Sequence, residues 1–535
     1  MNGQRKSRVE GVALFAAIGA LVILLLAVFS TIMRSFDHNE GLYITAGWLV
    51  AHGRSLYADF SFWQMPYSAW LFAAVFRVFD PAALLFTGKI VAYIFWLAAV
   101  AAIAGFAWRE TRRALPTAVA VLLFAGNWTV IRCASEASNY IQPLACALGS
   151  YVLALWAWAD TRRAKWCWVA SGACTGFAIG FKLYYLPTIA AYLAAIVWLP
   201  REVPLATRIR GAAVPFLAGV VIALLPVAYV FLRDPGVFWF NNLQVHHFTT
   251  EWWRETGVRY ATENKVFDIP LTFAEKLRFA GRTALIPANG AILVGLLACL
   301  GRLCFSPASR PNACRPAVVL AAMLSAVGFV CAFAPTPMWP QYWGLPVPFF
   351  FLWFIALALP AIAQRCRATE TVLMVAALIA LVPAGRQTLR NVRLLPHTEW
   401  WPGVVMAGKA RQMAALMPPA ARKAPLATMQ QLWAVESGTF TPMEKLAYAP
   451  FTYVIADRLA PEQRARFRIV GPADLSAHLA AQPPGAVVAG LYEDIFWSDR
   501  ELEDWARQHG FQAHPAFELE RFFTAASTPG AAPIK

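Results

Sequence analysis

A polar stretch between the first two long apolar runs carries the residues best suited to chemistry. It reads Ser35-Phe-Asp-His-Asn-Glu-Gly-Leu-Tyr43, then His52-Gly-Arg-Ser-Leu-Tyr-Ala-Asp59. Asp37 and Glu40 are three residues apart, so on a helical turn both carboxylates face one point. Such a pair can take a proton from a hydroxyl or amine, or hold a divalent cation such as Mg or Mn. The same spacing also describes a helix start, with Asp37 at the N-cap and Glu40 closing a capping box. The two readings are compatible, and both are kept.

Two lysines lie where cations are costly. Lys89 falls near one end of the second long apolar run and Lys182 at the end of the fifth. An ammonium in hydrocarbon costs several kcal/mol, roughly 2.5–3.5 on insertion scales, and needs a partner. Either lysine alone reads as snorkelling to the headgroups. Two of them on one face, beneath a loop bearing carboxylates, point to an anionic lipid headgroup, with phosphate the natural candidate. Arg54, in the same loop, is a third candidate for that anion. Tyr57, Glu136, His246, His247 and Tyr342 are candidates for lining the cavity. Glu136 serves equally as an ion-pair partner of Arg132. The adjacent histidines lack helical metal-ligand spacing and read as part of an interfacial loop. Tyr342 lies in the Pro- and aromatic-rich loop Pro335–Trp343, with Gln341 the other member able to contact a sugar.

These residues need a frame, and composition supplies it. Apolar residues make up 59% of the chain and charged residues 14%, against about 25% charged in ordinary soluble domains. The net charge of +16 is scattered in short clusters between apolar runs, which excludes a nucleic-acid patch and resembles topology signals. The nine cysteines fall almost entirely in or beside apolar segments, so no disulfide framework is indicated. Apolar runs occupy approximately 12–33, 84–108, 115–131, 138–159, 166–181, 184–200, 212–232, 284–300, 317–334, 345–363 and 371–385. Spans of that size predict about eleven transmembrane helices, the first an uncleaved one. With the N-terminus cytoplasmic, the clusters Arg109/Arg112/Arg113, Arg162/Arg163/Lys165, Arg201/Arg208/Arg210, Arg302/Arg310/Arg315 and Arg365/Arg367 all fall inside.

The segment 66–79 is too short to span, and counting it would invert every later loop. It reads as an interfacial helix with Pro66 near its first turn, and 40–52 as another. The first external loop, 34–83, is therefore structured, and the chain after Gly385 lies outside. The expected division is a membrane domain, 1–390, and a soluble extracytoplasmic α/β domain, 391–535. In the latter, strand-like runs (Leu432–Val435, Thr452–Ala456, Ala486–Leu491, Phe511–Phe517) alternate with helical ones (Glu462–Phe467, Ala473–Ala481, Asp499–His509). It has no phosphate-cradling glycine loop and no nucleophile elbow.

At this point the motifs resemble a known family. Asp37-His-Asn-Glu-Gly-Leu-Tyr, Ala51-His-Gly-Arg-Ser-Leu-Tyr-Ala-Asp and Pro66 are similar to the first external loop of GT-C glycosyltransferases. Among these the motifs resemble the bacterial protein O-mannosyltransferase-like and aminoarabinose transferase-like enzymes. Gly176-Phe-Ala-Ile-Gly-Phe-Lys182 looks like their glycine-rich span, and Gln341-Tyr-Trp-Gly-Leu-Pro-Val-Pro348 like their late tyrosine–proline segment. The resemblance covers about residues 10–390. It implies sugar transfer from a polyprenyl-phosphate carrier to a lipid, glycan or protein acceptor at the outer face of a bacterial inner membrane. Asp37 takes the place of the catalytic carboxylate, and Lys89 that of a cation near the carrier phosphate. Many relatives have Asp where this chain has Asn39, which leaves Asp37 and Glu40 as the only carboxylates of that motif and puts metal use in doubt. A transporter or flippase shares the many spans, but it predicts midplane charges and inverted repeats, and neither is seen.

Overall fold

A computed structural model describes residues 2–263, 270–305, 313–363, 367–449, 451–490, 498–517 and 520–525. Arg310 and Arg365 of the expected inward clusters, and the end of the run reaching Leu491, lie outside these residues. The chain is a multi-pass helical membrane protein with a small C-terminal sheet. All eleven apolar runs fall on helices. Among the described residues, seven helices are long and apolar enough to cross a membrane: Gly11–Arg34, Leu84–Thr111, Ile141–Ala159, Leu205–Arg233, Pro287–Phe305, Pro316–Phe333 and Pro340–Ala363. The bent pair Ala114–Ala125 and Trp128–Ala134 makes an eighth if counted as one span.

The residues group into two compact units. One comprises Met1–Ser35, Lys89–Pro226 and Pro270–His397; the other comprises Phe36–Gly88, Val227–Ile269 and Thr398–Lys535.

In the first unit, the run expected as one span over 115–131 is broken. Its two helices meet at 61°. Asn127 makes the break: its side-chain oxygen accepts from the amides of Thr129 and Val130 and so starts a new helix. That competition with the helical ladder is characteristic of Asn. Its amide nitrogen donates to Asn289 at 2.8 Å, and Asn289 in turn donates to Thr129 and the Thr283 carbonyl. A buried polar network with its members paired fixes one geometry. The following helix begins at Ile141 rather than 138, because 135–140 form a buried series of bends. Elsewhere, the helices Ala164–Phe181 and Leu205–Arg233 approach backbone to backbone. A Cβ on Gly172 would lie 1.8 Å from the Phe216 carbonyl oxygen, and one on Gly219 2.0 Å from that of Val169. Small residues permit such approach between apolar helices.

The second unit contains the expected helices of the first loop, His38–Ala51 and Tyr67–Phe79, packed on each other, with Pro66 at the N-cap of the second. Its sheet has five strands: β1 Pro425–Thr428, β2 Thr441–Pro442, β3 Ala486–Val488, β4 Phe511–Ala513 and β5 Phe522–Ala525. Their order is β2-β1-β3-β5-β4. β1 runs parallel to β2 and β3, whereas β5 is antiparallel to β3 and β4. The runs Leu432–Val435 and Thr452–Ala456, expected as strands, are the short helices Leu432–Ser437 and Phe451–Ile455. Leu432 to Ser437 is buried on all sides, so no alternation of burial exists to report its period. The His246–His247 segment, expected as a loop, belongs to the helix Val245–Glu263, entered through a π-helical turn, Phe240–Gln244.

Candidate active site

Asp37 stands at the N-cap of the helix His38–Ala51 with extended backbone. Its Oδ1 accepts from the Asn39 amide at 3.0 Å and from the Asn39 side chain at 2.7 Å. Glu40, fully buried, accepts from the Asp37 backbone amide at 2.9 Å, and the capping box is complete. Asp37 itself is half-buried. The cap fixes the carboxylate's orientation at the positive end of the helix, where negative charge is favoured. Among the described residues, no group of three or more His, Cys, Asp or Glu side chains is placed to hold a metal ion. Asp37 Oδ1 and Glu40 Oε2 accept from amides of the helix start, and no step below passes through a metal.

A second layer holds that helix start in place. A Cβ on Gly41 would lie 2.1 Å from Gln430 Oε1, so the Gln430 side chain sits directly on the backbone of the first turn. Glu436, 2% exposed, accepts from the Leu84 and Leu85 amides at 3.1 and 2.7 Å, capping the helix that carries Lys89. Burial pushes the Glu436 carboxyl up to about 7, against the pull of those two amides. Nothing in the sequence singled out Gln430 or Glu436; both lie on one short apolar segment.

The remaining loop candidates have structural partners. Arg54 pairs with Glu444 at 2.5 Å and is half exposed. Tyr57 adopts φ 67°, a strained backbone for a bulky residue, and its hydroxyl donates to the Gln64 carbonyl at 2.6 Å. Burial pushes that hydroxyl's pKa up, which keeps it a neutral donor. His246 and His247 are exposed, and His247 contacts Glu251 at 3.2 Å. His247 also lines a groove of about 410 Å³ with Gln244, Phe248, Gln463 and the stacked rings of Phe240 and Phe467.

In the first unit, Lys89, Lys182, Glu136 and Tyr342 gather at one turn. Lys89 is fully buried, not snorkelling, and its Nζ donates to the Ser135 carbonyl at 3.2 Å. Lys182 ends the helix Ala164–Phe181, with its Nζ 3.4 Å from Asn139 Oδ1. The same Nζ lies 3.4 Å from the ring centre of Tyr140 and 5.3 Å from that of Tyr342. Between these contacts, Glu136 pairs with Arg132 at 3.1 Å. Two ammonium groups from different helices thus converge on the two ends of the buried segment 135–139. Tyr140 and Tyr184 complete the surroundings. Sequence reasoning missed them, although the polar break between two apolar runs marked the place.

The helix order, the structured first loop and the C-terminal mixed sheet together make a fold that recurs among solved membrane proteins. No family model matches the sequence, and no curated protein matches it. Among solved structures, the apo form of ArnT from Cupriavidus metallidurans superimposes with a TM-score of 0.61 at 16% identity, covering 97% of this chain and 98% of that one. The same protein bound to undecaprenyl phosphate gives 0.56 at 14%, covering 97% and 99%. The Archaeoglobus fulgidus oligosaccharyltransferase in complex with Zn and sulfate gives 0.50 at 12%, covering 95% and 72%.

Proposed function

We propose that this protein transfers a sugar from a polyprenyl-phosphate carrier to a lipid, glycan or protein acceptor on the outer side of a bacterial inner membrane. The observation that carries the reading is the pair of lysines on the segment 135–139, in a chain whose fold matches, almost end to end, a structure bound to undecaprenyl phosphate. The charge accounting favours the same chemistry. A sugar–phospholipid diester carries about one negative charge, and the monoester that leaves develops a second. Fixed cations therefore stabilise the transition state more than the ground state, the condition for raising a rate. The acceptor oxygen or nitrogen forms a bond to the sugar's anomeric carbon as the bond to the phosphate oxygen breaks. Asp37 takes the acceptor's proton, and Lys89 and Lys182 receive the phosphate. In this reading the N-terminus is cytoplasmic, residues 1–390 form the membrane domain and 391–535 the periplasmic domain. Transport without transfer is the less favoured reading, because both lysines sit at helix ends rather than mid-helix.

The test separates binding from chemistry. Lys182→Met is expected to weaken binding of undecaprenyl phosphate in nanodiscs at least about tenfold, as loss of a charge-assisted contact does. Asp37→Asn is expected to bind that carrier normally while losing transfer about 10²–10⁴-fold. The transfer is read by mass spectrometry of envelope lipids and glycans in a deletion strain complemented with each variant. Full complementation by D37N would sink the base assignment.

A further inference from the structure

The first and last long helices of the first unit end together on arginines. Arg34 closes the helix Asn2–Arg34, and Arg390 and Arg393 lie in the last turn of Arg367–Arg393, which packs against it. The Arg34 Nη2 donates to Asn391 Oδ1 at 2.7 Å, and its Nε to the Ser30 hydroxyl at 3.3 Å. Asn391 in turn donates to the Thr31 hydroxyl at 2.7 Å and accepts from Gln387 at 3.1 Å. These partners are all neutral, while Arg390 sets a like charge against Arg34. Among the described residues, no carboxylate is paired with either arginine. A helix C-terminus favours a cation, which accounts for one arginine on each helix. It does not account for two placed to repel, an arrangement that an anion between them relieves. On the topology proposed above both lie outside, against the rule that keeps arginines in, a departure that a resident anion explains.

Arginine's planar fork matches a phosphate, and the flanks of the two helices say what carries that phosphate. Ile23 precedes Arg34, and Ile379 precedes Arg390, by eleven residues each, three turns that return to the same helix face. Ile23 is 42% exposed and Ile379 44%. Val22, Leu26, Met374 and Val375 beside them are exposed as well. Apolar surface thus descends from each arginine for about 16 Å, half of a roughly 30 Å hydrocarbon core. A small soluble anion leaves that surface bare, whereas acyl chains cover it. We infer that this corner holds an anionic phospholipid, its phosphate between Arg34 and Arg390 and its acyl chains along the Ile23 and Ile379 flanks. Arg393, exposed one turn beyond Arg390, stands on the side of the same headgroup. The corner shares no residue with the lysine turn to which the carrier's phosphate is assigned above.

Native mass spectrometry of the full chain in neutral detergent, titrated with phosphatidylglycerol or phosphatidylcholine of the same acyl chains, tests it. Wild type is expected to bind the first phosphatidylglycerol about tenfold or more tightly than phosphatidylcholine, as charge-assisted contacts provide. Arg390→Gln is expected to reduce that preference at least about fivefold. Arg34→Gln, which keeps an amide for Asn391, is expected to reduce it by at least as much. Arg162→Gln, at an exposed arginine outside the corner, is the control and should leave the preference within about twofold. A wild type with no preference, or equal losses in R162Q and R390Q (a diffuse pull toward any basic surface), overturns the inference. Displacement of the lipid by excess glycerol phosphate would make the occupant a free phosphate and overturn it too. So would an R390Q that weakens undecaprenyl phosphate as much as phosphatidylglycerol, since the corner would then belong to the sugar carrier. Should R34Q not fold, R390Q decides alone, because Arg390 is exposed and its replacement leaves the Asn391 network whole.

Discussion

Asp37 combines two tasks, and that decides which substitution is informative. Asn caps a helix as well as Asp does, so D37N removes the charge and keeps the helix start, whereas D37A also costs about 1 kcal/mol of cap. Glu436 presents the reverse case, a carboxylate whose task is purely positional. Its carboxyl is pushed up from the ordinary 4.5 to about 7, first by burial. The folded chain therefore holds that proton more tightly than the unfolded chain. The resulting stabilisation is complete below about 4.5 and is lost as pH rises through about 7. Its size is of order 3 kcal/mol, a single buried group's contribution. Melting temperatures of wild type relative to Glu436→Gln should fall between pH 5 and pH 8; parallel curves would show that the Glu436 proton is not linked to folding.

At the level of helices, the seam between Ala164–Phe181 and Leu205–Arg233 admits no added atom. Gly172→Ala places a methyl carbon against the Phe216 carbonyl and is expected to cost about 1–3 kcal/mol or more. Gly105→Ala is the control: nothing lies within 4 Å of its added carbon, and a helix interior gains up to about 1 kcal/mol from the change. Thermal melts of the two in one detergent should move in opposite directions; a tolerated G172A would mean the seam is looser than described. The apolar periodicity made the helices legible in advance, including the two short ones of the first loop, because burial in lipid or protein demands long apolar runs. The break at Asn127 was hidden, since one capping side chain inside an apolar run leaves the hydropathy unchanged. The helix Leu432–Ser437 was hidden for a related reason: a segment buried all round carries no face. Lys89 and Lys182 were legible as misplaced charges, but their common target, the segment 135–139, is a tertiary fact. So are Tyr140 and Tyr184, which no spacing connects to Lys182.

For the molecule as a whole, membrane class followed from composition, and the fold comparison agrees with it across nearly the full chain. The net charge of +16 is divided among short clusters, as a basic surface for polyanions would not be. The spans are far from equivalent, however. The most apolar stretch of Gly11–Arg34 is 22% buried inside the protein, whereas that of Pro340–Ala363 is 83% buried. Greasiness alone, at mean hydropathies of 3.0 and 2.2, does not reveal that contrast. The first segment presents residues 11–23 outward and buries most of 24–33, whereas the late one is walled off by its neighbours. A diazirine-bearing phospholipid, activated by light in the native bilayer, should therefore write its adducts densely along residues 11–23 and leave 346–363 almost blank. Even labelling of the two would place the late helix at the lipid annulus instead.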